Sequence, residues 1–505
     1  MKAFLMHRDQ DFDLKAPRPP QAADLAQDLG LPALAGAMAK GDKFLLEVAD
    51  KVLLRSSRDL DEIAYRQDIL KDAVQFPELL RTAYVLTEEA MAGERKVWRT
   101  RVNHPSLVLG DAIQLMDVVV VALKGLRGLA DAHGDRVRSE GLRRLFAMLR
   151  AELDDAYFAG INQHLKTMRS PGRIMIAAGL DEGNKGRGYR LCTPRLQQAG
   201  WFRRIFPRRS GEFAFTLDPR DENGTKALAE LKDRGLDVVA KALAQSADHI
   251  FSFLVMLRTE LAFYVGALNL YDRLRQLGAP VAFPLPVPCH ERRQDLRGAY
   301  DLGLVLDQGR KAVGNDVRME GVGLVVITGA NQGGKSAFLR ALGQIQLMMQ
   351  CGLFVPAEAC TGHLCQGLFS HFKREEDASM TSGKFAEELE RMSRIVDWLE
   401  PGAMILFNES FAATNEREGS AIARQVVEAL VAKGIKVAYV THLYEFAHGI
   451  HQQSGIPALF LRAERPVDGR RTYKLEVGEP LPTSFGMDLF RRMFEPEPVA
   501  GPGES

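Results

Sequence analysis

The sequence predicts a two-part chain, a mainly α-helical region leading into an α/β domain built on a mostly parallel sheet. Three observations predict it. From about residue 40 to 165, apolar residues recur at three- and four-residue spacing, as in LLEVADKVLL and LRRLFAMLRAELDDAYFAGINQHL, with Gly and Pro rare inside the runs. Beyond Leu302, short β-branched runs (GLVVITG, AMILFNE, IKVAYVTH) alternate with helical segments, the pattern of parallel strands joined by crossover helices. Between the first of those runs and the helical segment after it lies Gly329-x4-Gly334-Lys335-Ser336.

In chain order, residues 1–40 read as an irregular segment punctuated by APRPP. A helical region follows over 41–290, with a β-rich insertion near 170–225. There GRIMIAAGLDEGNKGRGYRL reads as strand, turn, strand, and GEFAFTLDPRDENG as a strand ending in a turn. Helix resumes through DVVAKALAQSADHIFSFLVMLRTELAFYVGALNLYDRLRQLG. The Pro-rich APVAFPLPVPCH cannot be helical and marks a boundary. The α/β domain takes 291–490, and the tail 491–505, ending FEPEPVAGPGES, reads as frayed.

A chain of 505 residues exceeds one ordinary core, so several domains are expected. The 66 Lys and Arg against 65 Asp and Glu create no global basic field, so any nucleic-acid surface must be local. Five cysteines fit a reducing compartment better than a disulfide framework. The opening MKAFLMHRDQDFDLK holds an apolar run too short for a signal peptide. No segment approaches the roughly 20 consecutive apolar residues of a membrane span, and VVVVAL reads as a core piece. The expectation is a cytoplasmic protein with no membrane partner.

The glycine spacing at 329–336 has a mechanical reason. Glycines let the backbone fold around a phosphate with its N–H groups pointing inward, and a helix N-terminus adds its positive end. Gly329, Ala330, Asn331, Gln332, Gly333 and Gly334 would form the cradle, Lys335 would reach the β/γ oxygens, and the Ser336 hydroxyl would ligate Mg2+. That makes the second half a P-loop NTPase domain, of the ABC-like kind, with ATP and Mg2+ as its cofactors. The run MILFNES ends an apolar strand in Asn408-Glu409, where many phosphate-handling ATPases carry Asp-Glu, one carboxylate on Mg2+ and the next polarising water. Asn at 408 keeps an oxygen and removes a charge, so Mg2+ should bind more weakly and hydrolysis should be slow. Glu409 is the catalytic candidate. KVAYVTH ends another strand in Thr441-His442, where a side chain can reach the γ-phosphate, so His442 joins it.

These residues resemble the ATPase domain of the MutS family of DNA mismatch-repair and recombination proteins. TGANQGGKSAFLR is similar to that family's TGPNMGGKST loop, GLFVPAEA to its G-x-x-VPA segment, and VTH to its ATH strand end. NESFAATNEREG runs in register with its DE-x-x-x-x-T-x-x-x-[DE]-G stretch, with Thr414 and Gly419 in place. VGND resembles its P-N-D, and YKLEVGEPLPTSFGMDL its last hairpin and S-x-G helix. Upstream, DLDEIAYRQDILKD resembles the start of its helical core, or lever. The resemblance is dense over 300–490 and looser over 50–285.

It implies a nucleotide-gated homodimeric clamp on mismatched, branched or duplex DNA, whose site is completed by a signature loop of the other subunit. The matching segment is DASMTSGKFAEELERM. Phe385 and Glu388 line up with the family's S-T-F-x-x-E, whereas Gly383 takes the place of its Ser. Either Ser382 acts after a one-residue shift, or Gly383 offers only its backbone N–H. There is also no Phe-x-Glu triplet near the start and no room for the mismatch-reading wedge domain, so a short form without it is expected. The insertion at 170–225 is expected to replace the family's DNA-gripping clamp, and no nuclease-like extension is expected after the ATPase. Two rivals remain: a MutS-like ATPase acting on ribosomes or structured RNA, and a non-hydrolysing dimer that uses ATP as glue.

Two further stretches invite chemistry. WFRRIFPRR places Arg203, Arg204, Arg208 and Arg209 among three aromatics, which suits nucleic-acid contact and equally suits a surface loop packed on itself. CTGHLC offers two thiols and an imidazole, but without a fourth ligand at usual spacing these read as packing residues rather than a zinc site.

Overall fold

The computed structural model describes residues 1–97, 104–169, 175–180, 186–192, 218, 220–374, 383–453, 455–464 and 471–481. It divides into two compact units, Met1–Leu5 with Glu78–Leu261, and Met6–Pro77 with Ala262–Ser505.

Four helices open the chain: α1 (Ala22–Asp28), α2 (Leu31–Ala39), α3 (Lys43–Leu53) and α4 (Leu60–Gln75). The first two correct the expectation of an irregular segment over 1–40. They are only 7 and 9 residues long and are interrupted by Gly30 at φ 66°, too short for their periodicity to show in the sequence. Asp42 caps α3 by accepting from the N–H groups of Phe44 and Leu45, and Asp59 caps α4 through that of Asp61.

The first unit holds α5 (Pro77–Glu94), α6 (Pro105–His133), α7 (Glu140–Glu152), α8 (Asp155–Arg169), the strands β1 (Met175–Leu180) and β2 (Gly186–Cys192), and most of α9 (Glu222–Gln276). Helix α6 buries a stripe at three- and four-residue steps (Ile113, Met116, Val120, Leu123, Leu126, Ala130) and packs beside the Leu142, Leu145, Phe146 and Leu149 face of α7. Strands β1 and β2 pair antiparallel, with a shift of register between Ala177 and Gly179. Helix α9 runs 55 residues without a proline, about 82 Å at 1.5 Å per residue.

Among the described helices α6 and α9 are long and apolar enough to cross a membrane, by length and composition alone. This corrects the expectation that no segment comes near. Counting consecutive apolar residues misses helices whose apolar positions are interspersed with polar ones. Of the apolar windows in α6 and α9, 44% and 72% respectively are buried inside the protein.

The second unit carries two sheets. In chain order its strands are β3 (Leu285–Val287), β4 (Arg293–Ala299), β5 (Asn315–Glu320), β6 (Leu324–Thr328), β7 (Ala359–His363), β8 (Leu368–Phe372), β9 (Met404–Asn408), β10 (Lys436–Val440), β11 (Ala458–Ala463) and β12 (Leu475–Val477). Its further helices are α10 (Leu302–Gln308), α11 (Lys335–Gln350), α12 (Lys384–Val396), α13 (Glu416–Ala432) and α14 (Tyr444–Gln453). The six-stranded sheet has the order β12-β11-β6-β10-β9-β8, parallel throughout except for β12. The four-stranded sheet, β3-β7-β4-β5, is mixed. Residues 6–77 and 262–290, which the sequence reading assigns to the N-terminal segment and the helical region, group with these sheets.

The central strands are buried along nearly their whole length, as parallel strands covered on both faces must be. On one face Val326, Phe407 and Tyr439 pack against Ala423, Val427 and Leu430 of α13 and Phe446 and Ile450 of α14. The rings of Phe407 and Tyr439 stack at 5.0 Å between centroids. Register then sets the functional edge. Val440 lies opposite both Asn408 and Ile327, so β6, β9 and β10 end level, and the chain leaves all three at the edge where ligands bind in open parallel sheets.

Candidate active site

From β6 the chain enters the glycine-rich turn, residues 329–334, and then α11. Gly329 has φ 113°, and a Cβ there would sit 2.9 Å from the backbone nitrogen of Ala463 on β11. Only glycine fits that close passage. Gln332 and Gly334 are also left-handed, at φ 63° and 90°, so the turn curls back over the N-terminus of α11. Lys335, the first residue of the helix, is 4% exposed, and its Nζ donates to the carbonyls of Gly329 (2.7 Å) and Ala330 (2.9 Å). Burial lowers its pKa, and the negative charge of Glu409 opposes that shift.

The Ser336 hydroxyl donates to Asn408 Oδ1 at 2.9 Å. The two oxygens that sequence assigns to a metal therefore touch each other, one from the first turn of α11 and the other from the end of β9. Glu409 follows in a left-handed conformation, φ 55°, with its N–H bound to Val440 O at 2.9 Å. Its carboxylate lies 3.8 Å from Nδ1 of His442, an ion-pair neighbour rather than a hydrogen-bond partner at that length. His442, with Lys335 and Lys373 behind it, holds the Glu409 carboxyl below the usual glutamate range against the opposing effect of burial. Thr441 anchors the other end: its N–H reaches Ile327 O at 3.1 Å, and its hydroxyl accepts from Leu443 N at 2.9 Å.

Lys335, Ser336 and Glu409 face a cleft of about 700 Å³, lined also by residues 331–334 of the turn and by Tyr300, Leu304, Gln308, Arg310 and Lys311. That volume suits a nucleotide-sized ligand. The residues also fit ATP and a hard divalent cation: a narrow backbone cradle, a buried ammonium, and paired hydroxyl and amide oxygens.

Sequence reasoning missed the far wall. Asp301, 3% exposed, caps α10 through Leu304 N and accepts from Arg340 Nε (2.7 Å) and Gln344 Nε2 (3.0 Å) on α11. Gln344 also accepts from Leu302 N and donates to Leu29 O, tying α10 to the helix that begins at the turn. The only local signal was an Asp before an apolar run, YDLGL. Asn315 of VGND accepts from Leu475 N at 2.7 Å and donates to Tyr473 O at 3.3 Å, fixing the segment that passes over Gly334. A Cβ on Gly419 would meet Phe411 O at 2.4 Å, so α13 packs against the chain leaving Glu409 only with glycine there.

The signature segment is placed in part. Ser382 lies outside the described residues, as do Arg203, Arg204, Arg208 and Arg209. Gly383 is exposed and precedes α12, with an extended backbone. Phe385 packs on the core of its own sheet, and Glu388, 7% exposed, accepts from Phe411 N at 3.1 Å. Both side chains thus pack within their own chain. Gly383 is the described position of that loop left facing outward.

Cys360 and Cys365 are buried, and burial pushes both thiols up to about 12. Burial takes His363 down to about 4, and its Nδ1 faces Arg293 O. Among the described residues no three His, Cys, Asp or Glu side chains group as metal ligands.

Two domain families match the sequence in tandem, the MutS2 N-terminal domain over 58–277 and MutS domain V over 325–502. The endonuclease MutS2 of Thermus thermophilus is 26% identical over 447 residues, covering 86% of this chain and 56% of that protein. That of Thermomicrobium roseum is 27% identical over 478 residues, covering 88% and 56%. The chain belongs to the MutS family. As a MutS-family chain it carries domain V over the cleft-bearing sheet and the MutS2-type N-terminal domain over α4 to α9. A third relative, the endonuclease MutS2 of Lactiplantibacillus plantarum, is 31% identical over 199 residues, covering 39% of this chain and 25% of that protein. The chain spans little more than half the length of the Thermus and Thermomicrobium relatives.

Proposed function

We propose that this MutS-family chain binds and hydrolyses ATP as a homodimeric, DNA-binding clamp in repair or recombination, with nucleotide binding closing the dimer and hydrolysis resetting it. One observation carries the reading. Lys335, Ser336 and Glu409 line one cleft, with Asn408 bonded to Ser336 and His442 beside Glu409, at the level ends of three adjacent parallel strands.

Magnesium, when bound, would neutralise charge on the phosphate oxygens, and Ser336 and Asn408 are the residues that would hold it. Everything else falls to the chain. The Lys335 ammonium can exchange its two carbonyl partners for phosphate oxygens. Inward N–H groups of the turn and the N-terminus of α11 favour the same charge. The Glu409 carboxylate, kept ionised by His442, is placed to orient water and take its proton, and His442 stands beside it to register the terminal phosphate. The exposed Gly383 end of α12 is the part a second subunit would engage.

Asn408 sets the metal affinity. A neutral amide oxygen replaces a carboxylate in a site whose other protein ligand is also neutral, so charge is scarce. Asn408→Asp should lower the Mg2+ concentration for half-maximal ATPase by about an order of magnitude. A Mg2+ titration checks it, and equal half-saturation in the two proteins contradicts the assignment.

Steady-state ATPase measured with homoduplex, mismatched and branched DNA and with structured RNA tests the nucleic-acid partner. Stimulation by DNA is expected. Stimulation by RNA alone would turn the reading to the ribosome-directed alternative, and tight ATP binding without turnover to a structural dimer.

A further inference from the structure

The turn that carries Glu409 has an unusual backbone. Glu409 at φ 55° and Phe411 at φ 62° both occupy the left-handed region, which side chains other than glycine rarely adopt. Such a conformation persists only where its surroundings over-determine it.

Two sets of bonds do so. From β10, Val440 O accepts from Glu409 N at 2.9 Å, and the Tyr439 hydroxyl donates to Ser410 O at 2.6 Å. From α12, the Glu388 carboxylate accepts from Phe411 N at 3.1 Å. His371, on β8, joins the sets: its Nε2 lies 3.0 Å from Glu388 O, and its Nδ1 and its own carbonyl lie 2.7 and 2.5 Å from the Ser410 hydroxyl. Burial, with the charge of Arg391 added, pushes the His371 pKa down to about 3, so the ring is neutral. The Ser410 hydroxyl donates its one proton to the His371 carbonyl, which ties the turn to β8. The Phe411 ring stacks on the imidazole at 5.6 Å and 21°. His371, Ser410 and Phe411 are fully buried.

The β10 anchors belong to the sheet and are fixed with it. The Glu388 anchor belongs to a helix whose first turn is exposed. We infer that Glu388, together with His371, is a positioning residue for Glu409, holding its strained turn in place and making the catalytic geometry depend on where α12 lies. This rests on the proposed role of Glu409. A partner engaging the Gly383 end of α12 would act on hydrolysis through this carboxylate, without touching the cleft.

Glu388→Ala removes the acceptor, whereas Glu388→Gln keeps an amide oxygen for the Phe411 N–H. In Glu388→Ala, kcat should fall about tenfold or more, as for a misplaced catalytic group, with KM for ATP and the Kd of a fluorescent ATP analogue within about twofold. Hydrogen exchange at the Phe411 amide should lose protection in the same variant. Glu388→Gln should recover both kcat and protection. Ser410→Ala, which deletes the hydroxyl that donates to the His371 carbonyl, serves where Glu388→Ala does not fold, with the same split expected.

Unchanged kcat in Glu388→Ala overturns the inference, as does equal impairment of Ala and Gln or a parallel loss of nucleotide affinity. Glu409→Gln, assayed alongside, separates the two failures. If it turns over normally, the reading of Glu409 falls and takes the inference with it. If it is inactive while Glu388→Ala is not, only the inference falls.

Discussion

Glu409→Gln should lower ATP turnover by about two to four orders of magnitude, the usual range for losing a positioned general base. ATP should still bind. The substitution keeps the size of the side chain and leaves Lys335, Ser336 and Asn408 in place, so the cradle and the metal ligands remain. What disappears is the charge that His442 and the two lysines stabilise. Gln cannot take a proton from water at any pH in the range where the protein is folded. The variant should therefore accumulate in the ATP-bound state. Rapid-mix single-turnover hydrolysis of labelled ATP, read beside equilibrium binding of the same nucleotide, checks both halves. Turnover within about threefold of the wild type would remove Glu409 from the chemistry.

Legibility in the sequence followed how local each feature is. The glycine turn, the strands before and after it, and Glu409 and His442 could be read because each is a short run whose period and composition change together. Ser336 and Asn408 were both assigned to Mg2+ from their motifs, and they lie in hydrogen-bond contact. The bond that Glu388 makes could not be read. Its amphipathic helix was evident, but a face pattern does not say whether a carboxylate serves its own chain or another, and the bond to Phe411 N joins residues 23 apart. Asp301, Arg340 and Gln344 were missed for the same reason, since a buried polar network is invisible until the helices that carry it are packed. Helices α1 and α2 were missed for being short. The membrane-length helices α6 and α9 were missed because their apolar residues are interspersed, not consecutive.

Lys335→Met should weaken ATP binding by about a hundredfold or more, near 3 kcal/mol, the upper end for hydrogen bonds to charged groups. Met matches the length of the stem, and α11 stays anchored through Phe338 and Leu339, so the helix should survive. Gly329 O and Ala330 O lose their shared donor, which loosens the turn even without nucleotide. Lys335→Arg separates charge from shape: it keeps the charge, but a planar guanidinium has no room in a slot 4% exposed, so it should not restore binding. The sign of a pH effect follows from the same burial. The charged form of Lys335 holds phosphate, burial depresses its pKa, and Glu409 raises it again. ATP affinity should therefore fall as pH rises toward that depressed pKa, where an ordinary lysine would still be charged. In Glu409→Gln the supporting charge is gone, so the decline should begin at lower pH than in the wild type. Nucleotide titrations of both proteins across the alkaline range measure the offset. Coincident curves would mean that the two side chains do not sense each other across the cleft.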